Sequence, residues 1–179
     1  MAAMSEQHRV ILDQAIDDAA SAFDLPKELL QAIAQVESGG NLFAVRYEHR
    51  YRWLWDMRRN QPYRLPSGGF VCPLDFPYDA SMGSRQTEFI CQRTSWGPLQ
   101  IMGAVAREYG FRGFLPQLCG PLGVHFGAEH LARLRHRFID KHGWDGVIAA
   151  YNAGSPRKGK NGIYLNQGYV SKVHSAEQR

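Results

Sequence analysis

The helical rhythm of this chain stops at Gly39-Gly40 and does not return until about Leu99, and that interruption limits the folds open to it. Before it, Ile11, Leu12, Ala15, Ile16, Ala19 and Phe23 recur at helical spacing. Ser5 is placed to cap this first helix. Asp24 is placed to cap a second, with Pro26 in its first turn, where a missing N–H costs nothing. The second helix carries Leu29, Leu30, Ile33, Ala34 and Val36, reaches Glu37 and Ser38, and ends at the glycine pair. After the interruption, helices are predicted around 99–109, 120–138 and 144–152, with a short last one over Tyr169 to His174. Glu129 and Arg133 form an i,i+4 pair in the second of these.

The segment from Asn41 to Thr94 is of another kind. It holds Pro62, Pro66, Pro73 and Pro77, the turn signal Ser67-Gly68-Gly69, and an aromatic cluster of Tyr47, Tyr51, Trp53 and Trp55. Tyr51, Trp53 and Trp55 alternate as in a strand, whereas Tyr47, Tyr51 and Trp55 fit a helix face; periodicity leaves both open. The segment reads as a loop-rich insertion over about 41–94 with a short β-hairpin. Its aromatics serve either as a stacking platform for sugar rings or as a small core of its own. The chain as a whole reads as one mainly α (α+β) domain over residues 1–179.

Composition narrows the classes further. With 179 residues, 44% hydrophobic and 21% charged, the chain matches an ordinary globular domain and not a disordered or disulfide-stapled one. The longest stretch free of formal charge, Gly113 to Ala128, is broken by Pro116 and Pro121, so no membrane insertion is expected. The net charge of +4 suits an acidic polymer without selecting one. Nothing beyond that charge points to nucleic acid, and no nucleic-acid partner is expected. Met1 to Arg9 lacks an apolar h-region, so no secretory signal peptide is read there. Cys72, Cys91 and Cys119 are expected as free thiols, with a Cys72–Cys91 bridge as the alternative. Their spacing fits no zinc pattern, and neither a metal nor a cofactor is expected.

Glu37 is the carboxylate that most invites a chemical role. It stands at the C-terminal end of an apolar helix, where the helix dipole and apolar neighbours both disfavour ionisation. A carboxyl kept protonated near neutral pH is what a general acid at a glycosidic oxygen needs. The plainer reading is an exposed glutamate at a helix end. Two other segments shift the balance. Gln100 lies among apolar residues in Ser95-Trp96-Gly97-Pro98-Leu99-Gln100-Ile101-Met102, where an amide needs partners. In Ala149-Ala150-Tyr151-Asn152-Ala153-Gly154, small residues flank a stacking face and an amide at a helix end that Gly154 also caps.

Taken in order, Glu37-Ser38-Gly39, Gly97-Pro98-Leu99-Gln100-Ile101, Ala150-Tyr151-Asn152-Ala153-Gly154 and Tyr169-Val170 resemble the soluble lytic transglycosylase (SLT) domain of the lysozyme-like superfamily, related to goose-type lysozyme. The likeness covers about Leu25 to Val173, and Gly97 to Glu108 looks nearest to phage- and prophage-associated members. The resemblance implies a lysozyme-like helical bundle around a substrate groove. It implies peptidoglycan as substrate, cut at the β-1,4 bond between N-acetylmuramic acid and N-acetylglucosamine. Glu37 matches the family's acid/base, which closes a 1,6-anhydro ring without consuming water. By similarity Ser38, Gln100, Tyr151 and Asn152 line the groove, and Tyr169 hydrogen-bonds near Glu37.

The chain also departs from that pattern. Pro98-Leu99 stands where the family usually has Leu-Met, which removes a backbone donor. The long insertion brings Glu48, Asp56, Asp75, Asp79 and Glu88. A hydrolytic muramidase of lysozyme or endolysin type needs a second carboxylate roughly 6.5–9.5 Å from the first to activate water if it inverts. Glu88, near the second motif, is the candidate, although a solvated surface role suits each of the five. His130 and His136 read as part of a solvated basic helix face, and Arg157-Lys158-Gly159-Lys160 as a basic loop that could also meet an acidic stem peptide. A reading of another class is a non-catalytic wall-binding or phage-tail component. The expected partner is the peptidoglycan glycan strand, met by a monomer at the bacterial cell wall or periplasm after delivery through a holin pore or on a virion.

Overall fold

A computed structural model describes residues 5–65 and 71–178, so Pro66 and the Ser67-Gly68-Gly69 signal lie outside the described residues. Helix α1 spans Glu6–Phe23 and starts at Ser5, whose Oγ accepts from the His8 N–H at 3.3 Å. It buries Leu12, Ala15, Ile16 and Ala19, while Ile11 stays at the surface. Asp24 does not cap the second helix. It closes α1 in a left-handed conformation (φ 52°), donating its N–H to the Ala20 carbonyl, a conformation aspartate tolerates better than most residues. Helix α2, Lys27–Ser38, starts instead from Pro26 without a side-chain cap. It ends at left-handed Gly39 (φ 65°), where the Gly39 N–H reaches the Gln35 carbonyl and the Gly40 N–H the Ala34 carbonyl.

The interruption is more ordered than its composition implies. Strand β1 (Val45–Tyr47) leads to a hairpin of β2 (Trp53–Asp56) and β3 (Gln61–Arg64), paired from Trp53–Arg64 to Asp56–Gln61. Trp53 and Trp55 thus follow the alternating, strand reading of the aromatics. Asp56 makes the hairpin turn by accepting from the Arg58 and Arg59 N–H groups. Helix α3, Arg85–Gln92, was not expected; Ser84 caps it by accepting from the Thr87 N–H at 3.1 Å. Strands β4 (Thr94–Trp96) and β5 (Ile101–Met102) follow. They complete an antiparallel sheet in the order β1-β4-β5, with β4 at its centre. The helix predicted over 99–109 is therefore shorter: α4 covers only Gly103–Glu108, because Gln100 takes a left-handed φ of 50° and the chain beyond it enters the sheet.

Helix α5, Pro121–Ala153, joins the two predicted helical segments across a break at Gly143 (φ 61°, ψ −171°). Helix α6, Gln167–Glu177, outruns its predicted bounds. The main core lies among α1, α2, α5 and α6, with Ile16, Leu30, Ile33, Val124, Leu131, Ile148, Val170 and Val173 at its centre. His174 of α6 lies 2.7 Å from both Asp145 and Glu177, which raises its pKa and ties α6 to the last part of α5. The insertion has a separate small core of Leu54, Leu65, Phe76 and Phe89, closed by Ala104 of α4. The three cysteines are free thiols, so the alternative Cys72–Cys91 bridge is not made. Among the described residues no helix is long and apolar enough to cross a membrane.

Beside the small core lies a buried ion pair. Arg107 of α4 donates from Nε and Nη2 to the two oxygens of Glu88, each at 2.9 Å, and from Nη1 to the Phe111 and Gly113 carbonyls. Gln92 donates to Glu88 and pairs with the backbone of Trp55 in both directions, which couples α3 to the hairpin. Every charge in this cluster is met, so removing one partner strands the other in a dry site. Glu88→Ala should lower unfolding free energy by about 3–5 kcal/mol, and Glu88→Ala with Arg107→Met should recover part of that loss. Denaturant midpoints of the two variants check both.

Candidate functional site

The site is organised on the turn between β4 and β5. Gly97 turns the chain at φ 69°, and a Cβ there would stand 2.5 Å from the Leu118 carbonyl oxygen, so only glycine fits. The carbonyls that follow are each taken by a side chain. Gln100 Nε2 donates to the Gly97 carbonyl at 2.9 Å. The Ser38 hydroxyl, at the end of α2, lies 2.9 Å from the Pro98 carbonyl and 3.0 Å from that of Ala34. The Tyr151 hydroxyl of α5 donates to the Leu99 carbonyl at 2.7 Å. Gln100 also reaches the Ala44 carbonyl at 3.3 Å and accepts from Ser95 Oγ at 2.9 Å. Pro98 lacks the N–H that such a crowded turn would otherwise have to satisfy.

Glu37 lies one residue before Ser38 and is half-buried. The Tyr169 hydroxyl of α6 donates to its Oε1 at 2.6 Å. Burial raises the Glu37 pKa and is the largest influence; the Tyr169 hydrogen bond and Arg46 pull it back, and Glu48 pushes it up again. The net direction is upward. Burial and the neighbouring carboxylate also raise the Tyr169 and Tyr151 phenols, which stay protonated donors. Glu37 opens into a cavity of about 350 Å³. Tyr51, Trp53, Gln100, Tyr151 and Asn152 line it, with Arg46 and Glu48 on the insertion side.

The residues singled out in the sequence fall into distinct roles. Glu37, Gln100, Tyr151 and Asn152 meet in one cavity, and Tyr169 holds Glu37 from behind. Ser38 fastens α2 to the turn, and Gln100 spends its amide on the same turn. Asn152 accepts from Asn166 Nδ2 at 3.0 Å, which leaves its own N–H donors for a ligand. Glu88 lies elsewhere, bound by Arg107 in the buried pair described above. The insertion carboxylate that faces Glu37 is Glu48, paired with Arg46 and fixed by its N–H to the Arg93 carbonyl. The aromatics divide. Trp53, 71% exposed, and Tyr51 line the cavity, and Tyr51 also packs on the insertion core. Tyr47 stacks over the buried Arg93 guanidinium.

His130 is not on a solvated face. Its Nδ1 lies 2.7 Å from the Tyr109 hydroxyl, and burial pushes its pKa down to about 4. His136 is exposed, as expected. Arg157 to Lys160 form a loop, with Lys158 over the Tyr164 ring at 4.6 Å. Arg46, Tyr109 and Asn166 were missed. Of these Arg46 had a signal, since it sits two residues before Glu48 on a strand that begins just after the glycine pair. Among the described residues no group of His, Cys, Asp and Glu side chains is arranged to hold a metal.

The chain matches no protein-family model, and neither curated proteins nor solved structures give a significant match to it. The functional reading therefore stands on the residues and their geometry. The Tyr169 hydroxyl stabilises the charged form of Glu37, so Tyr169→Phe should move the Glu37 pKa further up. A carbon-detected NMR titration of the Glu37 carboxyl measures this, and a downward move would contradict the assigned hydrogen bond.

Proposed function

We propose that this chain is a peptidoglycan-cleaving enzyme on a lysozyme-like fold, acting on the β-1,4 bond between N-acetylmuramic acid and N-acetylglucosamine as a lytic transglycosylase. The observation that carries the reading is Glu37: a half-buried carboxyl of raised pKa, held by a tyrosine, in a cavity lined by aromatic and amide side chains. Flat aromatics suit the C–H faces of sugars, and Trp53 and Tyr51 offer them on one side of the cavity. Asn152 offers free N–H donors on the other.

A glycosidic oxygen leaves readily only if it gains a proton as its bond to C1 breaks. Protonated Glu37 supplies that proton. The bonding pair goes to the leaving oxygen, and C1 takes on oxocarbenium character. Glu37, now a carboxylate, removes the proton from the C6 hydroxyl of muramic acid while O6 bonds to C1. A 1,6-anhydro ring results, no water is consumed, and Glu37 is again protonated. The Tyr169 O–H steadies the carboxylate between the two transfers. One side chain performs both steps, so a second carboxylate is not needed.

A hydrolytic muramidase is the second reading, and Glu48 is the observation that favours it. It shares the cavity with Glu37 and could activate water where Glu88, bound to Arg107, could not. On either reading the place of action is the bacterial cell wall.

Digestion of purified peptidoglycan, followed by mass spectrometry of the soluble fragments, separates the readings. Wild-type protein should release fragments ending in 1,6-anhydro-muramic acid, and Glu37→Gln should lower release by about 10²–10⁴-fold or more. Reducing ends, lost in Glu48→Gln, would replace the transglycosylase by a muramidase. No fragments from wild-type protein would leave a non-catalytic wall-binding or tail component.

A further inference from the structure

The side chain of Asn152 stands in the wall of the Glu37 cavity, and an amide can show a ligand either its acceptor or its donors. Asn166, at the start of α6, decides which. Asn166 Nδ2 lies 2.9 Å from the Ala149 carbonyl, which can only accept, so the atom in that place has to be the nitrogen. Its second hydrogen goes to Asn152, 3.0 Å away, and the Asn152 atom it meets is therefore the oxygen, Oδ1. Asn152 Nδ2 is left over, and neither of its hydrogens is taken by a protein group among the described residues. The carbonyl of Ala149 thus fixes one amide, and that amide fixes the next.

The same turn of α6 also serves the acid. The Tyr169 N–H donates to the Asn166 carbonyl at 2.9 Å, and the Tyr169 hydroxyl donates to Glu37. The charged side chains of the cavity are Arg46 and Arg50 against Glu37 and Glu48, two of each sign, which leaves the finer choice of ligand to the amide. An amino sugar brings one of two groups to such a wall. Acylated, its nitrogen carries a carbonyl oxygen, which accepts from Asn152 Nδ2. Free, it is an ammonium, whose hydrogens meet those of Asn152 and find no acceptor.

We propose that Asn166 is a positioning residue, which holds the Asn152 amide with its N–H donors toward the ligand and so makes the cavity select acylated over free amino sugars. The proposal rests on the peptidoglycan-cleaving reading for its class of ligand. Aspartate at 166 cannot donate to Asn152. It accepts instead, which turns Asn152 Nδ2 toward residue 166 and Oδ1 toward the cavity. Aspartate also suits a helix start as well as asparagine does, and Asn166→Ala removes the anchor without adding charge.

The test measures, by NMR titration, the Kd of the N-acetylglucosamine trimer and of the glucosamine trimer at a pH where the free amines are protonated. Wild type should bind the acetylated trimer more tightly. That preference should fall about three- to tenfold in Asn166→Ala and in Asn166→Asp, with the larger fall in Asn166→Asp. The same two substitutions made on top of Asn152→Ala should leave the preference where Asn152→Ala alone puts it, since Asn166 acts through Asn152. An unchanged preference in both single variants would overturn the proposal. So would a fall of equal size in the Asn152→Ala background, which would make Asn166 a general structural or charge effect, and so would a wild type that favours the free amine. If wild type binds neither trimer, the sugar reading fails by itself, and the role of Asn166 is decided in the free protein from the Asn152 side-chain N–H signals. Exchange with water that is fast in wild type and slowed in Asn166→Asp would sustain the positioning role, and equal exchange in the two would overturn it.

Discussion

The turn from Gly97 to Gln100 is the point on which the rest of the site depends. Its three consecutive carbonyls accept from Gln100, Ser38 and Tyr151, which belong to the turn itself, to the end of α2 and to the end of α5. Glu37 precedes Ser38 and Asn152 follows Tyr151, so fastening the turn also fixes these two residues in the wall of the cavity. Leu99, in the middle of the turn, is fully buried in the main core, which gives the arrangement an apolar anchor. A buried carbonyl left without a donor costs about 1–3 kcal/mol, so each of these side chains is held to its place by the others.

Around this frame Glu37 is balanced between two tendencies. Burial favours its protonated form, and the Tyr169 hydrogen bond and Arg46 favour the charged one. In the proposed mechanism a group that gives a proton and then takes one needs both forms within reach. Tyr169 is itself carried by α6, which His174 ties to Asp145 on α5 beyond the Gly143 break. The environment of Glu37 therefore depends on helix α6, far from it in sequence. The insertion adds a second wall: strand β1 contributes Arg46, the residue after it is Glu48, and the hairpin contributes Trp53. The buried Glu88–Arg107 pair and Gln92 hold that hairpin against α3 and α4. Glu88 is thus a strut of the wall.

What could be read from the sequence follows from the range of the forces involved. Helix α1 with its Ser5 cap, the end of α2 at Gly39, and the aromatic alternation at Trp53 and Trp55 are local, and the sequence states them directly. The grouping of Glu37, Gln100, Tyr151, Asn152 and Tyr169 came from short motifs in order, each anchored at the end of an element. Three features escaped, the last two because distant partners decide them. Asp24 closes one helix and does not open the next, since Pro26 already starts α2. The stretch from Leu99 to Met102 has helical composition, but the left-handed Gln100 and the pairing with β4 override it. Glu88 and Glu48 look alike as exposed acids in the sequence; only the position of Arg107 shows which of them is buried and which is left facing Glu37.

The central claim is that the cavity beside Glu37 receives a glycan strand. The most direct measurement is an NMR titration of the Glu37→Gln protein with a purified peptidoglycan fragment too short to bridge distant surfaces. The account predicts saturable shifts at Tyr51, Trp53, Tyr151 and Asn152, with little change on the far faces of α1 and α6. Shifts confined to another surface, or none at saturating fragment, would contradict it.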